Sequence, residues 1–320
     1  MAAVVADAEK PLIVLAGPTA SGKTSLAIRL AERFNGEIVS CDSVAVYREM
    51  EIGTAKPTLE ERALVPHHMI DIAWPDEQVT AGDYSRLARE ALRGITERRK
   101  LPIVAGGTGL YLRALIDGLF DAPPSRPKLR DRLRERAEKK GAAHLHRVLT
   151  RLDAKAAEAI HPNDVPKVIR AIEVSLSSEG ETRTPMTEQW QRGRDRLTGY
   201  RILRLGLNTP RARLYERINH RAAAMFDRGL IEETSRLIER YGRNCRALTS
   251  LGYAQAAAVL AGELTREEAV TQAQQGHRNY AKRQLTWFRR EPEMHWLAGL
   301  GSDEDIPTEA IKLVERFLIV

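Results

Sequence analysis

Eight residues near the N-terminus, Gly17-Pro18-Thr19-Ala20-Ser21-Gly22-Lys23-Thr24, constrain the fold of this chain more than any other feature. They match G-x-x-x-x-G-K-[ST] at every required position. The run Pro11-Leu-Ile-Val-Leu-Ala16 before them is short, continuous and apolar, which suits a strand buried on both faces. After them, Leu26, Ala27, Leu30, Ala31 and Phe34 fall at helical spacing and predict a helix from Lys23 to Phe34. A strand, a glycine-bearing turn and a helix in that order aim successive backbone N–H groups and a helix N-terminus at one anion. Lys23 adds a point charge for terminal phosphate oxygens, and Thr24 is placed to ligate Mg²⁺. Gly17 to Thr24 is therefore the expected phosphate site, and Thr24 the expected metal ligand.

The same alternation continues. Glu37 to Cys41 reads as a second strand, Asp83 to Lys100 as an amphipathic helix, and Leu101 to Ala105 as a third strand. Strands alternating with helices imply an α/β fold with a doubly wound parallel sheet, which binds ligands at the carboxyl ends of its strands. The pattern changes after Asp121-Ala-Pro-Pro-Ser-Arg-Pro127. From there to residue 200 the periodicity is helical only, with segments Lys128–Lys140, Ala142–Leu152, Ala154–Ile160 and Pro166–Ser178, closed by a looser stretch rich in Thr, Gly and Arg. Tyr200 to Leu207 is again an apolar strand that rejoins the first sheet. The expected organisation is a phosphate-loop core formed by residues 1–123 and 201–320, with an all-helical insert at 124–200.

Charge follows these boundaries. The net charge of +7 divides into −3 over residues 1–123, +6 over 124–200 and +4 over 201–320. Positive charge outside the N-terminal third suits contact with a polyanion, although most charged runs are solvated helix faces. Two cysteines, Cys41 and Cys245, form no disulfide framework and read as buried thiols. His67 and His68 are adjacent and point to different sides of any strand or helix, so they do not read as a zinc pair, and His144 and His146 read no better. Met1 to Lys10 has no basic leader region, and Leu12 to Ala16 is too short to span a membrane, so a cytoplasmic protein is expected.

A phosphate loop recognises phosphates and largely ignores what they are attached to. Relatives that hydrolyse ATP usually end another strand with an acid that helps to hold Mg²⁺. Here Leu101–Ala105 runs into Gly106-Gly-Thr108-Gly109 without a carboxylate, and the acid follows the second strand, at Asp42.

Several segments together resemble the tRNA dimethylallyltransferases, also called isopentenyltransferases, of the bacterial type. They are Gly17–Thr24, Asp42-Ser43-Val44-Ala45-Val-Tyr47, Ile52-Gly-Thr-Ala-Lys-Pro57, Pro66-His-His-Met-Ile-Asp71, Gly106-Gly-Thr-Gly-Leu-Tyr111, His161-Pro-Asn-Asp164, Leu251-Gly252-Tyr253, and Tyr280-Ala-Lys282-Arg283-Gln284-Leu-Thr-Trp-Phe-Arg289. They keep the family's order over nearly the whole chain. No Cys/His cluster stands near the C-terminus, where eukaryotic members often carry a zinc finger. The resemblance implies transfer of a dimethylallyl group from dimethylallyl diphosphate to N6 of adenosine 37, beside the anticodon, in tRNAs reading codons that begin with U. It also implies a phosphate-loop core and a helical insert that grips the anticodon arm. A monomer is expected.

Roles for residues follow from that chemistry. The N6 lone pair is delocalised, so a base must remove a proton as the C–N bond forms. Asp42 is the candidate, and the resemblance places the base at this position. The departing diphosphate gains charge and needs donors around it. Lys23, Thr108, Arg217 and Arg221 are the candidates beside the loop, the two arginines lying one turn apart on a helix. The target base must leave its stack. Asp42 to Ala45 and Thr108 are expected at the base. Arg130, Pro166-Lys167-Val168-Ile169-Arg170, Ser250-Leu251-Gly252-Tyr253, and the stretch His277 to Gln284 with Arg278, Lys282, Arg283 and Gln284 are expected along the RNA, with Tyr253 stacking. Trp287 and Phe288 read as core. Three other readings stay open: a small-molecule kinase, an isopentenyltransferase acting on free AMP, and an RNA-binding protein without activity. The charged insert argues against free AMP, which needs no extended surface.

Overall fold

The computed structural model describes residues 9–119, 123, 125–176, 187 and 195–319. The chain forms two compact units, one running through Ile116 and resuming at Leu197, the other spanning Asp117–Arg196. The expected boundaries lay a few residues further along. The division falls earlier because the Leu197 amide donates to the Ile116 carbonyl at 2.9 Å, so the chain leaves and re-enters the core at one point.

In the core, the described residues form a six-stranded, wholly parallel sheet. Its strands are β1 (Lys10–Ala16), β2 (Gly36–Cys41), β3 (His67–His68), β4 (Leu101–Gly106), β5 (Tyr200–Leu207) and β6 (Met294–Leu297), in the order β3-β2-β4-β1-β5-β6. Strand alternation sends Leu12, Val14, Val39 and Val104 to one face and Ile13, Leu15, Ile38 and Ile103 to the other. Both faces are covered, which explains the continuous apolar runs. Helix α1 (Lys23–Phe34) buries Leu26 and Leu30 completely against the second face. Each contributes about 1.5–3 kcal/mol by leaving water. After the short α2 (Leu59–Leu64), α3 (Ala81–Glu97) lays Tyr84, Ala88, Leu92 and Ile95 against the first face. A reciprocal cap between Thr80 and Asp83 starts α3 two residues before the predicted Asp83, and it ends at Glu97, short of the predicted Lys100. Helix α4 (Gly109–Ile116) follows β4.

Register decides where the site lies. Ala16 pairs with Gly106, and Gly106 also pairs with Cys41. The strands before the phosphate loop, Thr108 and Asp42 therefore end level, side by side. A Cβ on Gly106 would fall 2.1 Å from the Cys41 carbonyl oxygen, so this close approach requires glycine.

The second unit holds α5 (Pro127–Lys140), α6 (Ala142–Leu152), α7 (Ala154–Ala159) and α8 (Val165–Leu176), within two residues of the predicted segments. Leu145, Leu149, Val168 and Ile172 form its core. Ser177 and Ser178, the Thr-, Gly- and Arg-rich stretch up to residue 194 apart from Thr187, and Asp121, Ala122 and Pro124 lie outside the described residues. The core then continues through α9 (Arg211–Asp227), α10 (Leu230–Tyr241), α11 (Tyr253–Leu260), α12 (Arg266–Phe288) and α13 (Asp305–Ile319). No described helix is long and apolar enough to cross a membrane.

Candidate active site

Between β1 and α1 the loop curls because Ala20 and Gly22 both take left-handed backbone angles, at φ 63° and 85°. No side chain caps α1, so its first N–H groups stay available to an anion. Four contacts hold the loop from outside. The Thr19 amide donates to Gln284 Oε1 at 2.8 Å, while Gln284 Nε2 donates to the Gly107 carbonyl at 2.9 Å. Arg221 donates to Thr19 Oγ1 at 2.7 Å, and Arg217 Nε to the Ala20 carbonyl at 3.2 Å. The Gly301 amide adds a 2.8 Å bond to the Ser21 carbonyl.

Loop residues 19–24, Asp42, Gly106, Gly107, Arg217, Arg221, Tyr280 and Gln284 all line one cavity of about 1000 Å³. That space exceeds the needs of a diphosphate alone. Lys23 Nζ donates to the Pro18 carbonyl at 2.7 Å. Burial, and then the neighbouring Arg221 charge, bring the Lys23 ammonium down to about 7. Burial likewise lowers the Arg221 guanidinium. Arg213, one turn before Arg217, and Arg228, just after α9, line the same cavity and were missed in the sequence. Their spacing from Arg217 and Arg221 was the available signal, but a row of arginines also describes a solvated face. Arg213 is held by Asp303 at 2.9 Å.

Beyond β2, Asp42 Oδ1 accepts from the Val44 amide at 2.8 Å and the Ala45 amide at 3.2 Å. This turn fixes the carboxylate and leaves Oδ2 without a hydrogen bond among the described residues. Thr108 Oγ1 accepts from the Ser43 amide at 3.0 Å, tying the end of β4 to this turn. Tyr280, inside the His277 to Gln284 stretch expected along the RNA but given no role of its own there, sits beside Thr108 and lines the cavity. Both cysteines are buried and free, and burial pushes the Cys41 thiol up to about 12.

The fold corrects several expected RNA contacts. Tyr253 is fully buried and cannot stack on a base: its hydroxyl donates to Glu233 at 2.6 Å and accepts from the Gly53 amide at 3.2 Å. Gln284 is buried and its amide is used at both ends by the loop and Gly107. Val168 and Ile169 belong to the core of the helical unit. Arg130 and Arg170 both bind the buried Glu173 carboxylate, Arg130 at 2.8 and 3.0 Å. Burial raises that carboxyl, but Arg130, the Arg126 amide and Arg170 outweigh it and hold Glu173 below the usual range. Leu251 packs over Gly276, and Ser250 Oγ donates to the Ala247 carbonyl. Lys167 is exposed in a surface pair with Asp164, and Lys282 and Arg283 are exposed on α12. Arg278 binds Asn219 and Gln275. Phe288 is core, whereas Trp287 is half-buried against Gly109 with the Arg113 guanidinium 4.4 Å from its ring. His67 bonds the Val65 carbonyl and His68 bonds Glu37, and no group of three or more metal-ligating residues occurs among the described residues.

Comparison with known proteins adds relatives to this geometry. The family model described as IPP transferase matches residues 45–291. The chain is similar to a tRNA dimethylallyltransferase of Koribacter versatilis, at 62% identity over 95% of this chain and 98% of the relative. It is also similar to that of Solibacter usitatus, at 51% over 96% and 99%. Among solved structures it resembles the tRNA isopentenylpyrophosphate transferase of Bacillus halodurans, at 38% identity, a TM-score of 0.69 and coverage of 97% and 96%. It also resembles a eukaryotic dimethylallyltransferase acting on tRNA, at 28% identity, a TM-score of 0.80 and coverage of 97% and 79%.

Proposed function

The chain belongs to the IPP transferase family, the family of its tRNA dimethylallyltransferase relatives, and from that premise we propose that it transfers a dimethylallyl group from dimethylallyl diphosphate to N6 of adenosine 37 in tRNAs reading codons that begin with U. The observation that carries this reading is the meeting of a phosphate loop and a fixed carboxylate at neighbouring strand ends, on one cavity.

The diphosphate lies against the amides of Gly22, Lys23 and Thr24 at the uncapped start of α1, with the Lys23, Arg217 and Arg221 side chains around it. Charge builds on the leaving oxygen as the allylic C–O bond breaks, and these donors stabilise it where it develops. Asp42 Oδ2 takes the N6 proton as the C–N bond forms, contributing about 10²–10⁴ in rate. Thr108 holds the Asp42 turn through the Ser43 amide. A bound Mg²⁺ would add neutralising charge at the diphosphate. Thr24 would hold it with the substrate's phosphate oxygens, because Mg²⁺ keeps several waters and needs few protein ligands. The described residues fit that mode, with the Thr24 hydroxyl at the cavity and no protein-only cage. The helical insert carries excess positive charge, which suits gripping the anticodon arm. The enzyme works as a monomer in the cytoplasm.

Mass spectrometry of tRNA incubated with the protein, Mg²⁺ and dimethylallyl diphosphate tests the proposal. The expected result is a mass gain confined to the adenosine beside the anticodon. Transfer to free AMP but not to tRNA, or phosphoryl transfer from ATP to a metabolite, would replace it with one of the two other enzymatic readings.

A further inference from the structure

The residues around Asp42 leave one polar group without a role. Gln284 uses both ends of its amide on the loop and Gly107. Thr108 Oγ1 accepts from the Ser43 amide and lies 3.4 Å from the Ser43 hydroxyl. Tyr280 is one helical turn before Gln284, so both project from the same side of α12, and both line the cavity. The Tyr280 hydroxyl has Thr108 as its polar neighbour and lies near enough to Asp42 to feel its charge. The Arg283 guanidinium lies 5.7 Å from the Tyr280 ring centre, on the next turn of the helix.

The phenol is a donor at working pH. Burial first, and then the Asp42 charge, push it up to about 12, so it keeps its proton. Asp42 beside it is the opposite, an acceptor once ionised. The cavity thus presents an acceptor and a neutral donor side by side. Adenine carries the complementary pair on either of its reachable edges: the N6 amine donates, and N1 on one side or N7 on the other accepts. Guanine and hypoxanthine place a carbonyl oxygen where adenine has the amine, and their N1 is a donor.

We propose that Tyr280 selects the acceptor base: its hydroxyl donates to a ring nitrogen flanking N6, N1 or N7, while Asp42 accepts from N6 itself. The two contacts fix the amine in the plane of the carboxylate. A hydrogen bond to the ring nitrogen also draws electron density from the amine and makes the N6 proton easier to remove. This inference rests on adenine being the acceptor, as proposed above.

The test crosses one substitution with two substrate changes. RNA carrying adenine, 1-deazaadenine or 7-deazaadenine at the target position is given to the wild type and to Tyr280→Phe, under single-turnover conditions with saturating dimethylallyl diphosphate. Deaza substitution alters the reactivity of the amine, so the readout is the ratio of the two proteins on each RNA. The variant is expected to be about 10- to 100-fold slower on adenine and on one deaza analogue, and equal to the wild type on the analogue that lacks the contacted nitrogen. Affinity for dimethylallyl diphosphate should stay within about twofold, since the lost hydroxyl does not touch the loop. The same ratio on all three RNAs would overturn the proposal, because a packing role cannot distinguish one ring nitrogen from another. Absence of transfer by the wild type to adenine-bearing RNA would instead overturn the proposed function itself.

Discussion

At the scale of single residues, the site depends on groups kept away from their ordinary behaviour in water. Lys23 is held near a pKa of about 7, by burial first and by Arg221 second. The unfolded chain therefore binds more protons than the folded one between about pH 7 and the ordinary lysine value, and folding stability from this group rises with pH across that window. A bound diphosphate reverses the preference and restores the ammonium. At pH 8, calorimetric titration with dimethylallyl diphosphate in buffers of different ionisation enthalpy should show uptake approaching one proton. Lys23→Met should abolish it, and zero uptake by the wild type would mean that Lys23 is already charged. Asp42 makes a second test. Asp42→Asn keeps an oxygen for the Val44 and Ala45 amides but cannot accept the N6 proton. Single-turnover transfer should fall by about 10²–10⁴ with diphosphate affinity unchanged, and a rate near that of the wild type would remove Asp42 from the chemistry.

Among elements, the segment from Met50 to Pro57 is wired between distant helices. The Ile52 amide donates to both oxygens of Glu233 on α10, at 3.0 and 3.1 Å, and Tyr253 at the start of α11 bonds Glu233 and Gly53. A Cβ on Gly53 would fall 2.4 Å from the Tyr253 ring. Further along the segment, Lys56 Nζ donates to the Tyr47 carbonyl at 2.6 Å and to Asp71 at 2.6 Å, and the Asp71 amide returns to the Ala45 carbonyl. Tyr253 thus supports a wall of the cavity, where Thr54, Ala55 and Lys56 lie, from inside the core. Tyr253→Phe keeps the ring but leaves the Gly53 amide unpaired. It should lower stability by about 1–3 kcal/mol while RNA affinity stays unchanged. Unchanged stability with weakened RNA binding would restore a contact role. Leu251-Gly252-Tyr253 was legible as a motif, but a tyrosine on a surface and one in a core look alike until its partner, Glu233, is placed.

Across the whole molecule, positive charge divides into cations that hold the fold and cations free to meet a polyanion. Arg130 belongs to the first kind. Arg130→Ala should cost about 3–5 kcal/mol, because it leaves the buried Glu173 carboxylate poorly compensated, and should unfold the helical unit at lower temperature without a specific change in salt dependence. Glu173 is depressed below its unfolded value, so its contribution is present above the ordinary carboxylate range and is lost as pH falls through its folded value. Lys167, paired only at the surface, belongs to the second kind. Lys167→Ala should leave the melting temperature unchanged and reduce the log–log salt slope of tRNA binding by about 0.7–0.9. An unaltered slope would assign Lys167 to a solvated face.

By itself the sequence determined the alternation of strands and helices, the phosphate loop and the limits of α1, α3 and α5 to α8 to within a few residues, because these depend on neighbours close in the chain: a period of two or 3.6, a glycine-bearing turn, a cap such as Thr80 with Asp83. The edge strands His67–His68 and Met294–Leu297 were too short to carry a period and were not legible. Tertiary structure alone decided which polar residues meet. Gln284 reaches Thr19 across 265 positions, and Tyr280 joins Asp42 and Thr108 only because β2 and β4 end level beneath α12. The same packing that took Tyr253 out of reach of a base gave it Glu233, and it gave Arg130 and Arg170 the buried Glu173 carboxylate while leaving both guanidinium groups partly exposed. A buried charge or hydroxyl must be paired, and its partner is set by packing rather than by position in the chain.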